Sequence, residues 1–256
     1  LFQRETIDNI SKNISIIKKI NIFFKSYNEI RIIDLGTGTG SNFRYLSKKI
    51  KYKNQSWTLM DLSKSSLNEA KKNLVINNKI KKIILKHDDI IKNIQQHTFK
   101  DYDLVTGSAF LDIMPLDWFK KFYKLNMNTK LVYFSINYDG HFKFYPKHSL
   151  DKDVLKLFNN DQKSKKNNKT KAVGPDCSYI INNCFSKTHK CYLFKSNWTD
   201  IKNKKFQLMF LDFCEKIIKK NKQTHLLEWL NFRNDNIINN KSKLSVSNKD
   251  FLAIKI

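Results

Sequence analysis

The sequence predicts an α/β protein: a seven-stranded sheet with helices on both faces and a terminal antiparallel hairpin. Apolar segments of strand length alternate with helical segments along nearly the whole chain. The first apolar segment leads into a glycine-rich turn that a helix follows. Acidic residues also stand where several of the predicted strands end. Together, these three observations indicate a sheet that binds a ligand at one edge.

The glycine-rich turn is the most informative of these features. Three of the six glycines in the chain, Gly36, Gly38 and Gly40, lie within five residues. The apolar residues of segment 30–35 predict a short buried strand before the turn, and residues 42–49 predict the start of a helix after it. Glycine lets a turn tighten and lets a ligand approach the main chain, while a helix N-terminus offers unpaired N–H groups. The unit is therefore predicted to bind a ligand.

The spacing of the glycines indicates the kind of ligand. A dinucleotide fingerprint requires G-x-G-x-x-G, whereas the register here is Asp34-x-Gly36-x-Gly38-x-Gly40, which is one residue short. Asp34 also stands where a carboxylate can accept hydrogen bonds from a cationic or amino-bearing ligand. The pattern resembles motif I of the class I S-adenosylmethionine-dependent methyltransferases. A structural glycine turn in another α/β protein is the alternative interpretation.

Two further segments follow in the order of that family. Residues 57–61 predict a second buried strand that ends at Asp61, and residues 83–90 predict a third strand with Asp88 and Asp89 at its end. The resemblance implies that Asp61 accepts hydrogen bonds from the ribose hydroxyls of the cofactor. It also implies that Asp88 or Asp89 meets the adenine amino group, with a backbone contact from the residue beside it. A helix N-cap is the alternative for Asp61, and a solvated acidic turn is the alternative for the other two.

The remaining strands complete the predicted sheet. Residues 102–112 supply a fourth strand and a loop, and ligands of open α/β sheets lie beyond the carboxyl ends of the strands. Four residues of this loop should therefore face cofactor and substrate: Gly107, Ser108, Ala109 and Asp112. The last three strands are predicted at residues 130–137, 191–196 and 251–256, with a turn at residues 247–250 that leads from residues 243–246 into the last of them. The resemblance to the seven-stranded, Rossmann-like methyltransferase sheet thus covers nearly the whole chain.

On this resemblance the predicted cofactor is S-adenosyl-L-methionine, which becomes S-adenosyl-L-homocysteine. The residues predicted to bind it follow the glycine turn and the ends of the first four strands: Asp34, Gly36, Thr37, Gly38, Gly40, Asp61, Leu62, Asp88, Asp89, Ile90 and Ser108. The match to motif I is specific. The matches at the later strands are weaker one by one, but they occur in the same order as in the family, and this order supports the resemblance.

One domain is predicted over residues 1–256, because no linker rich in proline, glycine or serine divides the chain. Residues 1–27 would form a helical cover over the cofactor, with Phe2, Ile7 and Ile10 packing inward. The chain carries no C-x-x-C pair among its four cysteines, so no metal site is predicted. No apolar segment approaches the length of a membrane span, so a cytoplasmic protein without membrane contact is predicted.

The methyl acceptor is expected to bind at a cap insertion over residues 141–187, a region that resembles uncharacterised bacterial small-molecule methyltransferases. Its aromatic and polar side chains suit a small organic acceptor better than a phosphate chain. The predicted substrate-binding residues, one of them from the loop after the fourth strand, are Asp112, His148, Phe158, Asn159, Gln162 and Tyr179. Plain core packing is the alternative for the aromatic residues. A general base would assist methylation of a hydroxyl or a protonated amine. Asp112, His141 and His148 are the candidates by location, and His141 is preferred because it directly follows the predicted fifth strand.

The net charge of +25 suggests a nucleic-acid partner, since basic residues neutralise phosphates. Only four of the 48 basic residues are arginine, however, and lysine accompanied by abundant asparagine and isoleucine is what an AT-rich coding sequence produces. The densest basic segment is Lys147–Lys171. If it binds a phosphate backbone, the alternative function is an RNA methyltransferase. If it is only a solvated loop, it has no such role. The chain lacks the Asn/Asp-Pro-Pro-Tyr/Phe signature after the fourth strand, which weighs against methylation of adenine or glutamine.

The preferred function is in-line methylation of an oxygen or nitrogen atom on a small metabolite. A non-catalytic S-adenosylmethionine-binding or regulatory protein is the alternative of another class. The sequence identifies neither the acceptor nor the oligomeric state.

Overall fold

The computed structural model of the chain describes residues 2–52, 54–164, 166–167 and 170–256, without the side chains of residues 2, 3, 166 and 167. Within these ranges the strands are, in chain order, β1 (Ile30–Leu35), β2 (Gln55–Asp61), β3 (Ile80–His87), β4 (Leu104–Ser108), β5 (Leu131–Tyr145), β6 (Lys166–Asn167), β7 (Thr170–Lys171), β8 (His189–Lys195), β9 (Trp198–Ile201) and β10 (Lys243–Lys255). The α-helices are α1 (Phe2–Ser11), α2 (Ile14–Phe23), α3 (Ser41–Lys49), α4 (Lys64–Lys72), α5 (Leu116–Asn126), α6 (Asp151–Ser164), α7 (Cys177–Phe185), α8 (Lys204–Lys220) and α9 (Leu227–Ile238). None of these described helices is both long enough and apolar enough to cross a membrane.

Eight strands form one sheet in the order β3-β2-β1-β4-β5-β10-β8, and β9 pairs with β10. Strands β1 to β5 run parallel, whereas β10 runs antiparallel to its three neighbours. The strand order reverses between β1 and β4, and ligands of open α/β sheets bind at such a reversal. The predicted α/β class with antiparallel terminal strands is confirmed.

Two strands are longer than the sequence suggests. β5 does not end near residue 137 but continues to Tyr145, because Phe142 and Phe144 alternate with exposed residues and bury one face of the strand. The turn predicted at residues 247–250 is wrong. β10 runs through this segment, and two register shifts, one on each side of Asn248 and Lys249, keep both of its halves paired with β5.

Helices cover both faces of the sheet. On one face α2 and α3 bury Ile16, Ile20 and Phe43 against the isoleucines and leucines of β1 and β2. On the other face α5 and α7 bury a cluster of aromatic side chains, in which the ring centroids of Trp118 and Phe122 stack at 4.5 Å. Apolar side chains from both faces of the parallel strands are therefore removed from water, as this architecture requires.

A third core lies on the C-terminal half of β5 and the N-terminal half of β10. Helices α6, α8 and α9 pack there around Phe142, Phe144 and Leu244, together with β9. Neither α8 nor α9 was predicted from the sequence. The guanidinium group of Arg233 on α9 is fully buried in this core, 5.2 Å from the ring centroid of Phe144, and donates hydrogen bonds to Asp151 and to the carbonyl of Pro146.

The segment predicted as a cap, residues 141–187, is divided between two cores. Its first part is strand β5 and helix α6, which belong to the third core, while α7 packs beside α5 on the sheet. Within the predicted helical cover, Ile7 is buried as expected, but Ile10 is 76% exposed, so its inward packing is wrong. α1 instead buries Asp8 beside Ile7. The side chain of Phe2 lies outside the described residues.

Phe158, predicted to line a substrate pocket, is a core residue. Its ring stacks on Phe210 at 5.7 Å and meets Phe142 edge-on at 5.1 Å. We expect Phe158→Ala to lower the free energy of unfolding in urea by about 3–5 kcal/mol, because the truncation leaves a cavity. Tyr179→Ala is the matched control, since Tyr179 is 69% exposed and its loss should cost no more than about 0.5 kcal/mol. Equal, small losses for both variants would contradict the core assignment.

Candidate functional site

A cleft lies beyond the carboxyl ends of β1, β2 and β4, where the strand order reverses. It consists of two cavities of ≈ 310 and ≈ 190 Å³ that share Gly36 and Ala109 in their walls. The larger cavity is bounded by Asp61, Asp88 and the loop after β4, and the smaller by the glycine turn and α1. The cleft therefore has one compartment on either side of the glycine turn.

The glycine turn contributes main chain and open space to the cleft. Gly38 has a φ of +55°, and no atom lies within 4 Å of the position that a Cβ would occupy. Gly36 has a φ of +62°, and a Cβ there would lie 2.4 Å from the ring of Phe110. Side chains at these two positions would strain the backbone. Gly36 thus admits the aromatic wall of the cleft, and Gly38 leaves room for a ligand.

Asp61 joins the end of β2 to the glycine turn. Its Oδ2 accepts a hydrogen bond from the Gly38 N–H at 2.7 Å, and its Oδ1 accepts one from the Ser63 N–H at 2.8 Å. The N-cap of α4 is Ser63, whose hydroxyl accepts from the Ser66 N–H at 3.1 Å. Asp61 therefore does not cap the helix. Each carboxylate oxygen retains a lone pair, so Asp61 can also accept hydrogen bonds from a ligand in the larger cavity.

Asp34 lies beneath the glycine turn and does not line the cleft. Its side chain is fully buried, and its two oxygens accept hydrogen bonds from the Thr37 hydroxyl at 2.6 Å and the Asn42 amide at 2.7 Å. Burial raises the pKa of Asp34 to about 6, against the effect of these two hydrogen bonds. The expectation that Asp34 faces the ligand is corrected: its carboxylate is occupied by the turn and by α3, whose positions it holds.

A buried lysine extends this network to the N-terminal helix. The Lys12 ammonium donates to Asn42 Oδ1 at 3.1 Å and lies 4.5 Å from the ring centroid of Tyr45. Burial lowers the pKa of Lys12, while the nearby charges of Asp8 and Asp250 oppose the shift. The residue that follows α1 is therefore tied to the helix that follows the glycine turn.

Two acidic residues of α1 close the smaller cavity. Glu5 Oε1 accepts from Arg44 Nε on α3 at 2.9 Å, and the same guanidinium donates to the Thr39 carbonyl at 2.6 Å. Asp8 Oδ1 accepts from the Trp198 indole at 3.0 Å. Burial raises the pKa of Asp8, against the opposing charges of Arg4 and Lys12. These contacts hold α1 across the open side of the cleft.

The larger cavity has two aspartates at the end of β3. Asp88 accepts from the Asn93 amide at 2.7 Å and lies 3.2 Å from His97 Nε2. Burial by itself would raise the pKa of Asp88, but the hydrogen bond from Asn93 and the charge of His97 lower this pKa below its ordinary value. Asp89 Oδ1 accepts from the Ile91 N–H at 3.0 Å. Both carboxylates border the cavity.

The loop after β4 holds Ala109 in a left-handed conformation, with a φ of +51°. Its N–H donates to the Ser135 carbonyl on β5 at 2.9 Å. Non-glycine residues adopt this conformation at an energetic cost and chiefly where the surroundings enforce it. Ala109 borders both cavities, so this strained residue lies at the middle of the cleft.

The structure brings most of the predicted cofactor residues together. Those that border the cleft are Gly36, Thr37, Gly38, Asp61, Leu62, Asp88, Asp89, Ile90 and Ser108. Gly40 lies behind the turn, where it precedes α3 and a Cβ would lie 3.2 Å from Arg44.

The predicted acceptor residues are dispersed. His141 is exposed on the extended part of β5, in a cavity of ≈ 320 Å³ that shares no lining residue with the cleft, because the strand does not turn at Gly140. His148 packs on the Phe232 ring at 4.8 Å. The Asn159 amide donates to the Gly140 carbonyl at 2.8 Å. The other predicted residues lie in three different surroundings: Phe158 and Gln162 are buried on α6, Tyr179 is exposed on α7, and Asp112 follows Phe110 outside the lining of the cleft.

Several residues that form the site were not predicted from the sequence. Glu5, Asp8 and Lys12 reach it only through tertiary packing, which leaves no local pattern. Asn42 and Phe110 lie within segments that the sequence did predict. Asn42 could have been identified as a polar residue at the start of a helix, and Phe110 as an aromatic residue beside a tight loop.

The raised pKa of Asp34 has a consequence for stability. A carboxyl that holds its proton more tightly when folded contributes stability below its ordinary pKa of 3.8, and that contribution is lost as the pH rises to about 6. In that interval the unfolding free energy of the wild type should fall by about 1.4 kcal/mol per pH unit relative to Asp34→Asn. Urea titrations of both proteins across this pH range measure the difference. Parallel curves would contradict the assignment, and Asp212→Asn on the surface of α8 provides the control.

Comparisons with known proteins agree with this geometry. A family model described as a methyltransferase domain matches residues 32–126, from β1 to the end of α5. A cyclopropane-fatty-acyl-phospholipid synthase-like protein from Lactobacillus casei ATCC 334 superposes with a TM-score of 0.60 at 7% identity, over 98% of this chain and 92% of that one. A comparison with curated proteins finds no match.

Two further solved structures align over most of their length with lower scores. A SAM-dependent methyltransferase from Geobacter sulfurreducens, in complex with S-adenosyl-L-homocysteine, has a TM-score of 0.46 at 9% identity, over 96% of this chain and 92% of that one. The cyclopropane synthase MmaA2 from Mycobacterium tuberculosis has a TM-score of 0.46 at 11% identity, over 93% and 83%. The matched residues 32–126 contain the glycine turn, Asp61 and the ends of the first four parallel strands, and this part of the chain is a methyltransferase domain.

Proposed function

We propose that the protein methylates an oxygen or nitrogen atom of a small molecule that enters the cleft beside α1. The observation that carries this proposal is the charge of the cleft. Although the chain has a net charge of +25, the described residues that line the cleft include five acidic ones and one basic one. They are Glu5, Asp8, Asp61, Asp88 and Asp89, with Arg4. A polyanion would be repelled here, whereas a neutral or cationic acceptor would not.

The residues of the larger cavity fit the nucleoside part of S-adenosylmethionine. Asp61 has lone pairs for the ribose hydroxyls, and the two aspartates after β3 can accept from an amino group. In the adjoining smaller cavity, Gly38 leaves empty space where a Cβ would stand. The cofactor supplies a methyl group activated by its bond to a positively charged sulfur. The protein supplies position: Asp34 and Asn42 fix the turn, and α1 excludes water from the smaller cavity.

The cover formed by α1 supports a small acceptor. The smaller cavity has a volume of ≈ 190 Å³ and is bordered by α1 on one side and by Ser108 and Ala109 on the other. The bonds from Arg44 to Glu5 and from Trp198 to Asp8 hold this helix in place. An acceptor must therefore be small, or must present a narrow group to the cleft.

Asp8 is the residue that we place beside the attacking atom of the acceptor. It borders the smaller cavity, and burial raises the pKa of its carboxyl. A carboxylate in such surroundings gains from a hydrogen bond with a hydroxyl or amine. Asp8 thus takes over the role that the sequence analysis assigned to His141 and Asp112.

The basic segment behind the RNA alternative does not gather beside the cleft. Lys147 and Lys152 border one cavity of the third core, and Lys156 borders another. Lys163 is paired with Asp176 at 2.7 Å. Lys165 and Lys169, and the side chain of Lys166, lie outside the described residues. No described lysine of this segment borders the cleft, so these lysines give the RNA alternative no support there.

Cofactor binding provides the first test. Asp61→Ala should weaken binding of S-adenosyl-L-homocysteine in calorimetry by about 10- to 100-fold, because hydrogen bonds to a charged group are lost. Asp61→Asn, which keeps one acceptor oxygen, should lose less. Asp212→Ala removes an exposed carboxylate on α8 and should bind like the wild type. Unchanged binding in Asp61→Ala, or tight binding of NAD, would refute the assignment of the larger cavity.

The acceptor class provides the second test. The protein is incubated with S-adenosylmethionine labelled in its methyl group and, separately, with a metabolite extract, total RNA and a lipid extract. We expect label in the metabolite fraction and at least about tenfold less with Asp61→Ala. Label found only in RNA or only in lipid would overturn the small-molecule proposal. Cofactor binding without transfer to any fraction would favour a regulatory protein.

A further inference from the structure

A further cavity of ligand size lies on the surface beside the third core, away from the cleft. It has a volume of ≈ 460 Å³ and shares no lining residue with either compartment of the cleft. The residues that give it its character come from the extended part of β5, the segment before α6, the first turn of α6 and the start of β10: Lys143, Tyr145, Lys147, His148, Lys152 and Lys243. We call it the lysine cavity. Its volume is in the range of small-molecule sites.

The four lysines of the lysine cavity have no acidic partner among the described residues. Other lysines of the third core differ in this respect, since Lys220 reaches Asp161 at 2.7 Å and Lys216 reaches Asp212 at 2.6 Å. Four like charges around one concavity repel one another. An anion that binds between them would remove this repulsion.

The acidic residues of the lysine cavity do not cancel this charge. Asp151 is already occupied: its Oδ1 accepts from the Trp229 indole at 2.7 Å and from the buried guanidinium of Arg233, and its Oδ2 accepts from the His148 N–H at 3.0 Å. Asp200 is the second acidic residue in the wall. Because Arg233 balances Asp151, the wall has four ammonium groups against one carboxylate.

The shape of the lysine cavity favours a compact anion with an organic part. The Tyr145 side chain is 63% exposed and stands in the wall, so an aromatic surface adjoins the lysines. Lysine ammonium groups bind phosphate as point charges. From this arrangement we propose that the lysine cavity binds a phosphorylated small molecule, with its phosphate between the lysines and its organic part against Tyr145.

The test uses ribose 5-phosphate, ribose, inorganic phosphate and a short oligouridylate as probes, with titrations followed by calorimetry and by NMR of the histidine rings. The variant is Lys147→Gln/Lys243→Gln. The control is Lys18→Gln/Lys25→Gln, which makes the same change in net charge at exposed positions on α2 and just after it. All three proteins are also titrated with S-adenosyl-L-homocysteine, so that failure of this proposal is separable from failure of the cofactor site.

We expect ribose 5-phosphate to bind the wild type saturably and at least about tenfold more tightly than ribose or inorganic phosphate, and to shift the ring signals of His148. The cavity variant should bind it about tenfold more weakly, the control should bind it like the wild type, and S-adenosyl-L-homocysteine should bind all three alike. Binding no tighter than that of ribose, or equal weakening in both variants, would refute the site. Binding no tighter than that of inorganic phosphate would refute the organic part. A tighter complex with oligouridylate would overturn the proposal in favour of an RNA surface.

Discussion

The buried carboxylate of Asp34 is the constraint on which the site depends. It receives hydrogen bonds from Thr37 and Asn42, and so fixes the glycine turn to the helix after it. Asn42 in turn accepts from Lys12, which extends the same network to the N-terminal helix. Removing a carboxylate from water is costly unless hydrogen bonds compensate, and here the compensating groups are the segments that must be positioned. This network positions the main chain at Gly38, which donates a hydrogen bond to Asp61, and it ties the segment after α1 to α3.

Charge is distributed unevenly over the molecule. Most of the described lysines are on the surface, whereas the cleft beyond the parallel strands is lined by five carboxylates and one basic residue. Electrostatic attraction over the surface is screened within about a Debye length, roughly 8 Å at physiological salt, so the groups that line a cavity determine what enters it. Net charge is therefore a poor guide to the substrate of this enzyme. The lysine cavity and the acidic cleft belong to one chain yet have walls of opposite charge.

Local signals predict the first half of the chain well and the second half poorly. A few neighbouring residues are enough to recognise a buried strand, a glycine turn or an acid at the end of a strand. For this reason the sequence predicted the strand before Gly36, the turn itself, and Asp61, Asp88 and Asp89. The extension of β5 was missed, since Asp139 and Gly140 resemble the end of a strand and the partner residues 243–246 are distant in sequence. Phe158 was assigned to a pocket because an aromatic residue gives the same signal in a wall and in a core. Asp8 gave no signal, because only tertiary packing brings it to the cleft.

The position of β10 in the sheet has a consequence for how the molecule is assembled. This strand lies between β5 and β8, and its Asp250 accepts a hydrogen bond from the Asn13 N–H, 237 residues away in the sequence. Contacts at such separation form late, because a long loop must be closed before they return any energy. During synthesis, the parallel strands emerge first, with one edge of β5 unpaired and open to wrong partners. The segment that joins α1, the cover of the cleft, to α2 acquires this hydrogen bond only when β10 is in place, so this part of the cover is completed late in folding.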